Sequence, residues 1–193
     1  MQGITHQQKL DLLRACRGGD EDQFFTLLYE MAAFLRCSTG DILPQIIDGL
    51  GRGIVHYAAQ GWSPAVKKII MRSIGCFEPF QTGKLKLFLN GKDRRGNTPF
   101  LEACERDAHE LVRILLITRT PITQKNNFCE TGLHLAVRKG HLLTIKLLLE
   151  RGALLNSQNN NGETPLHVGV REGMMYPVDD LLAHGASIGI CNH

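Results

Sequence analysis

Apolar residues recur along much of the chain at spacings of three and four, which is the period of an α-helix with one buried face. Ile145, Leu148 and Leu149 form one such set. Gly152 follows this set at the place where a helix commonly ends in a left-handed residue, and Gly185 stands at the same place in a later segment. The pattern predicts a series of short helices, each burying one apolar stripe against its neighbours.

Short polar segments predict where these helices begin. Thr98 and Thr164 each precede a proline. A threonine side chain caps the free N–H groups of a first helical turn, and proline has no N–H to lose at that position. Ser63 precedes Pro64 in the same way. We therefore expect helices to begin directly after residues 63, 98 and 164.

The same pattern returns at a fixed interval in the second half of the chain. Thr98, Thr131 and Thr164 are separated by 33 residues each, and so are His134 and His167. A period of this length indicates stacked repeats, none of which can bury its apolar face alone. The three repeats cover residues 93–125, 126–158 and 159–191.

Two degenerate copies precede these repeats. Residues 48–74 keep the Asp, His and Ala positions of the pattern, and residues 8–28 keep only the helical part, as a partial N-terminal copy. The spacing is longer than 33 in two places, which predicts insertions at about 29–47 and 75–92. Such insertions cost little, because the entropy of loop closure grows only slowly with loop length.

The repeated motifs carry a family resemblance. Gly-Glu-Thr-Pro-Leu-His at 162–167, Thr-Gly-Leu-His-Leu-Ala at 131–136 and Gly-Asn-Thr-Pro-Phe at 96–100 resemble the ankyrin repeat. The resemblance implies an all-α repeat fold, an ankyrin-repeat solenoid of stacked helix-turn-helix units joined by β-hairpin loops. It covers nearly the whole chain, so we expect a single ankyrin-repeat domain over 1–193.

Composition and charge narrow the partner class. The net charge is +3, without the concentrated basic patch typical of nucleic-acid binding, and the chain has neither an apolar run long enough to span a membrane nor a secretory signal. We therefore expect neither nucleic acid nor membrane as partner. The six cysteines are far apart and include no C-x-x-C pair, which favours free thiols in a reducing, intracellular compartment, cytoplasmic or nuclear.

No motif for catalysis or metal binding is present in the sequence. His134 and His167 recur with the repeat and form no H-E-x-x-H pattern, which favours a structural role bonding backbone groups of adjacent repeats. Cys104 occupies an interior helical position, and Cys129 stands where the repeat has a hairpin glycine, which favours a more exposed thiol. We expect no enzyme activity, no cofactor and no metal site.

The ankyrin resemblance implies partner binding through the concave surface formed by hairpin tips and first helices. Phe128 is the first candidate for a binding hot spot, because an exposed aromatic at a hairpin tip is costly unless it meets a partner or the neighbouring hairpin. We expect a monomer that binds another protein with an acidic or mixed-charge surface. The candidate contact residues are Arg94, Arg95, Asn97, Arg106, Phe128, Glu130, Arg138, Lys139, Glu163, Arg171 and Glu172.

Two alternatives to a plain interaction module remain. Asp93-Arg-Arg-Gly-Asn-Thr-Pro, in a short chain made almost entirely of repeats, is similar to the inhibitors of NF-kappa-B, which favours an inhibitor that sequesters a transcription factor or signalling protein. The other alternative is a substrate-recruiting or effector protein whose catalytic region is absent from this chain.

Overall fold

The chain folds into helices joined by tight turns. The computed structural model describes residues 4–77, 81–118 and 120–193. Within these residues it contains twelve α-helices and one 3₁₀ turn, and its only β-type pairings are two isolated bridges, Ile47 with Gly53 and Lys125 with Thr131. The expected all-α repeat fold is confirmed. The chain divides into two compact units, unit 1 over residues 1–94 and unit 2 over residues 95–193.

Unit 1 is built from two helical pairs and an inserted cluster. Helix α1 packs against α2 and α4, and α2 packs against α5. The segments from the two predicted insertions pack together, since α6 contacts both α3 and the 3₁₀ turn. Residues 29–35 continue α2. The elements are α1 (His6–Gly18), α2 (Glu21–Leu35), α3 (Thr39–Ile42), the 3₁₀ turn (Leu43–Gln45), α4 (Ile54–Gln60), α5 (Pro64–Gly75) and α6 (Thr82–Asn90).

Unit 2 contains three regular helical pairs. The first helices of successive repeats pack side by side, α7 on α9 and α9 on α11, while α10 packs between α8 and α12. Phe100, Leu135 and Leu148 are fully buried between these layers. The elements are α7 (Pro99–Glu105), α8 (His109–Ile117), α9 (Gly132–Lys139), α10 (Leu142–Glu150), α11 (Pro165–Arg171) and α12 (Met175–Ala183).

The predicted helix boundaries match the structure. The hydroxyl oxygens of Ser63, Thr98 and Thr164 accept backbone N–H groups of the first helical turns that follow them. Gly152 and Gly185 adopt φ of 74° and 88°, the left-handed conformation expected after a second helix. The local signals therefore placed the starts of α5, α7 and α11 and the ends of α10 and α12.

His134 joins two neighbouring repeats, as predicted. Its Nδ1 accepts the N–H of Thr131 at 3.2 Å, so the ring proton lies on Nε2, which donates to the carbonyl oxygen of Glu163 at 3.0 Å. Burial lowers the pKa of His134, which favours the neutral ring that this arrangement needs. The Nε2 of His141 lies 3.0 Å from the carbonyl oxygen of Glu105, a second link between repeats.

Candidate protein-binding surface

Two hairpin tips in unit 2, at residues 126–130 and 159–163, are each held by an asparagine side chain. The Oδ1 of Asn126 accepts the backbone N–H groups of Phe128 and Glu130, both at 3.0 Å. Its Nδ2 donates to Asn97 Oδ1 and to Glu130 Oε2, both at 3.1 Å. An Asx side chain that accepts N–H groups of the next residues fixes a tight turn. Asn126 therefore sets the conformation of residues 126–130 and joins them to the preceding repeat.

The next hairpin repeats this construction 33 residues later. Asn159 Oδ1 accepts the N–H groups of Asn161 at 2.9 Å and Glu163 at 3.0 Å, and its Nδ2 donates to Glu163 Oε2 at 3.0 Å. The backbone N–H of Asn160 donates to the carbonyl oxygen of Phe128 at 3.0 Å. This bond places the two hairpin tips side by side.

A buried carboxylate lies below each of these two tips and pairs with an arginine at the end of the first helix. Glu130 pairs with Arg138, and Glu163 pairs with Arg171. Burial raises the pKa of Glu163, but hydrogen bonds from Asn159 and Arg171 outweigh this and hold the pKa below its ordinary value. This lowered pKa favours the ionised form of Glu163, and each of the two carboxylates is held by its arginine.

Three of the predicted contact residues face the interior. Asn97, Glu130 and Glu163 are 1%, 5% and 7% exposed, and each takes part in the hydrogen bonds that hold the hairpins. The remaining candidates reach solvent to a larger degree. Arg138 is partly exposed, and the exposed ones are Arg94, Arg95, Arg106, Phe128, Lys139, Arg171 and Glu172.

Phe128 lies at the tip of the hairpin formed by residues 126–130. Its side chain is 49% exposed, and it lines a cleft of about 130 Å³ together with Asn160, Arg138 and Arg171. About half of the Phe128 side chain is therefore open to solvent beside this cleft. A half-buried aromatic with fixed backbone is well suited to anchor a partner, because little conformational entropy remains to be lost.

The charges on this surface are largely balanced. Arg138 and Arg171 are paired with the buried Glu130 and Glu163, and Arg106 pairs with Glu102 at 3.0 Å. Arg171 also contacts Glu172 at 3.1 Å. The buried partners of these arginines are visible only in the fold. The surface is polar and close to neutral around one aromatic ring.

Cys129 adopts a conformation that glycine occupies in the preceding and in the following hairpin. Its φ is 57°, and the equivalent residues Gly96 and Gly162 have φ of 73° and 71°. A non-glycine residue in the left-handed region carries a steric cost from its Cβ atom. The Cys129 thiol is partly exposed, whereas those of Cys16 and Cys104 are buried. Burial raises the pKa of the Cys16 thiol to about 12 and that of the Cys104 thiol still further.

One exposed apolar feature was missed in the sequence. Val170 is 65% exposed although its equivalent Val137 is fully buried, and Val170 lines a groove of about 420 Å³ with Leu166 and Ile188. Both valines occupy the same position of the repeat, 33 residues apart. Only the packing of unit 2 distinguishes them.

Metal-binding and membrane-spanning features were sought over residues 4–77, 81–118 and 120–193. No group of three or more His, Cys, Asp or Glu side chains there is arranged to hold a metal ion. None of the helices in those ranges combines the length and the apolar character needed to cross a membrane.

Comparison with known proteins supports the repeat assignment. A family model described as ankyrin repeats (three copies) matches residues 56–157 and again residues 110–191. The two matches together span more than half of the chain and include all six helices of unit 2. No curated protein matches the chain.

Proposed function

The chain belongs to the ankyrin repeat family, whose repeats are generally protein–protein interaction modules, and we propose that it binds a partner protein through the hairpin tips and first helices of unit 2. Phe128 carries this proposal, since it combines 49% exposure with a backbone fixed on both sides by hydrogen bonds. Interface hot spots are enriched in aromatic and arginine side chains at such positions.

The surrounding residues divide into contact and positioning roles. Phe128, Arg95, Arg106, Lys139, Arg171 and Glu172 are exposed and form the proposed contact set with the partly exposed Arg138. Asn97, Glu130 and Glu163 hold the hairpins from below. Arg94, the last residue of unit 1, is exposed and stays a candidate contact. Because most of the arginines are paired within the protein, a partner of mixed charge fits this surface better than a strongly acidic one.

Ankyrin repeat domains are generally non-catalytic, and we place this chain among the non-enzymatic ones. All six cysteines are free, which supports a reducing, intracellular compartment. Inhibition by sequestering a signalling protein and recruitment of a substrate to a catalytic partner are two refinements of the same binding role. The identity of the bound protein separates them.

The test is affinity capture from cytosolic lysate followed by mass spectrometry. Phe128→Ala combined with Lys139→Ala removes two exposed side chains and leaves both buried ion pairs intact. Leu143→Ala is the matched control, since Leu143 is an apolar residue of α10 with 59% exposure. Circular dichroism is used to check that both variants are folded.

We expect the double variant to lose the partner that the wild type and the control retain. Loss of an aromatic hot spot costs about 2 kcal/mol, which weakens binding by about thirtyfold. A partner that the double variant and the control retain equally contradicts the assignment of the surface.

A further inference from the structure

A second groove lies in unit 1, between the hairpin that precedes α4 and the inserted helix α6. We call it the insertion groove, with a volume of about 220 Å³. An apolar cavity of about 150 Å³ is large enough for benzene, so the insertion groove has room for one large apolar side chain. Its lining includes Leu43, Ile46, Ile47, Leu87, Phe88 and Lys92.

The insertion groove exposes apolar side chains at its rim. Leu87 is 60% exposed and Ile47 is 45% exposed, while Phe88 and Leu89 on the same helix are buried. Leu50, at the tip of the hairpin, is also 45% exposed. Adjacent exposed apolar side chains around a groove are characteristic of an interaction site, whereas single exposed ones are ordinary.

Basic residues lie beside the insertion groove. Residues 81–94 contain four basic residues and one acidic residue, a net charge of +3 that equals the net charge of the whole chain. The rest of the chain has 18 basic and 18 acidic residues. Lys84 pairs with Asp41, whereas Lys86 is exposed on α6 next to Leu87. A segment with an excess of positive charge, residues 81–94, therefore borders the apolar groove.

We infer that the insertion groove is a second protein-contact surface, which binds an acidic segment of a partner through one large apolar side chain. The apolar residue fills the groove, and its acidic neighbours face the basic segment 81–94. Nucleic acid is less suited, because it has no aliphatic side chain to fill an apolar groove. A membrane is less suited as well, since the apolar residues line a concavity instead of projecting as an anchor.

The experiment selects peptides from a phage-displayed random library on the immobilised full-length chain. Enriched peptides are then titrated against Leu87→Glu and Lys86→Glu, with Ile117→Glu and Lys68→Glu as exposed controls of matched type outside the groove. Leu87 and Lys86 are exposed, so neither change disturbs the core. The variants of Phe128 and Lys139 are titrated too, which separates this surface from the one proposed in unit 2.

We expect the selection to enrich peptides with a net negative charge and at least one large apolar residue. Both groove variants should weaken their binding by about tenfold or more, and the controls should not. Neutral or basic peptides, or peptides that bind Leu87→Glu as tightly as wild type, overturn the inference. Binding of single-stranded RNA or of phosphatidylserine vesicles that depends on Leu87 and Lys86, with no such peptides, also overturns it.

Discussion

The hairpin of unit 1 and the hairpins of unit 2 reach the same turn with opposite charge arrangements. Asp48 Oδ1 accepts the N–H groups of Leu50 at 2.8 Å and Arg52 at 2.9 Å, as Asn126 Oδ1 does for Phe128 and Glu130. Four residues after the turn-forming residue, the hairpin of Asp48 has Arg52, whereas the hairpins of Asn126 and Asn159 have a glutamate. The turn therefore depends on the side-chain oxygen that accepts these N–H groups. The residue four positions later can carry either a positive or a negative charge.

The two arrangements give the charges different partners. Arg52 pairs with Asp48 itself at 2.8 Å, within one hairpin, whereas Glu130 pairs with Arg138 at the far end of a helix. The unit 2 pair therefore ties the hairpin to its own first helix. In unit 1, Tyr57 of α4 makes a corresponding link, because its hydroxyl donates to Asp48 Oδ2 at 3.0 Å.

We expect the largest loss of stability from a substitution that breaks the unit 2 turn at Asn126. Asn126→Ala removes two acceptor and two donor hydrogen bonds and leaves buried groups of Asn97 and Glu130 without this partner. Unsatisfied buried polar groups cost about 1–3 kcal/mol each, so we expect a loss of about 3 kcal/mol in the free energy of unfolding. Urea unfolding followed by far-UV circular dichroism measures it. Asn159→Ala, at a more exposed turn, should cost about half as much, and equal costs contradict this comparison.

In unit 1, two substitutions of Asp48 distinguish the contribution of its acceptor oxygen from that of its negative charge. Asp48→Asn keeps an oxygen acceptor like that of Asn126, so we expect a cost below about 1 kcal/mol, while Asp48→Ala should cost about 2 kcal/mol. Trp62, the one tryptophan, lies in unit 1, so its fluorescence during urea unfolding reports on this unit. If Asp48→Asn is as costly as Asp48→Ala, the charge is the essential feature.

The buried His134 makes unit 2 sensitive to mild acid. Because burial lowers its pKa below the ordinary 6.5, the unfolded chain takes up a proton more readily than the folded one. The stabilising contribution is complete above pH 6.5 and is lost as the pH falls below that value. Between about pH 7 and pH 5 we therefore expect the free energy of unfolding to decrease.

The matched control for this pH dependence is His134→Gln, whose side chain does not titrate. This variant should be less stable than wild type at neutral pH and should lose less stability on acidification. Parallel pH profiles of the wild type and His134→Gln would show that other groups govern the response.

The smallest expected effect concerns the left-handed residue of each turn. Cys129→Gly should stabilise the protein by about 1 kcal/mol, because glycine adopts a φ of 57° without a Cβ penalty. Gly162→Ala should act in the opposite direction, since its added Cβ would also lie 3.0 Å from the backbone nitrogen of His193. Thermal unfolding of both variants tests the pair, and a destabilised Cys129→Gly contradicts the steric account.

Local signals in the sequence predict most of the fold. Threonine and serine before proline place the helix starts, and the recurring histidine predicts its own role between repeats, because these interactions involve residues close in sequence or at the repeat period. The packing of α6 on α3 could not be predicted from such local signals. Lys84 pairs with Asp41, and no motif connects residues that are 43 positions apart.

The candidate surface was predicted only in outline. Phe128 is exposed at its hairpin tip, as a position-based assignment implies. Burial of Glu130 and Glu163 follows instead from their pairing with arginines eight residues further along, at the end of the next helix. Residue type alone marks these glutamates as surface residues, and only the folded repeat supplies the buried partner.

The most direct test of partner binding through unit 2 is site-specific photo-crosslinking. A photoreactive phenylalanine analogue replaces Phe128 in one sample and Leu143 in a second, and both are irradiated in cytosolic lysate before mass spectrometry. We predict a covalent adduct with one partner protein from position 128 and none of that partner from position 143. Adducts with the same partner from position 143 and none from position 128 would contradict the proposed surface.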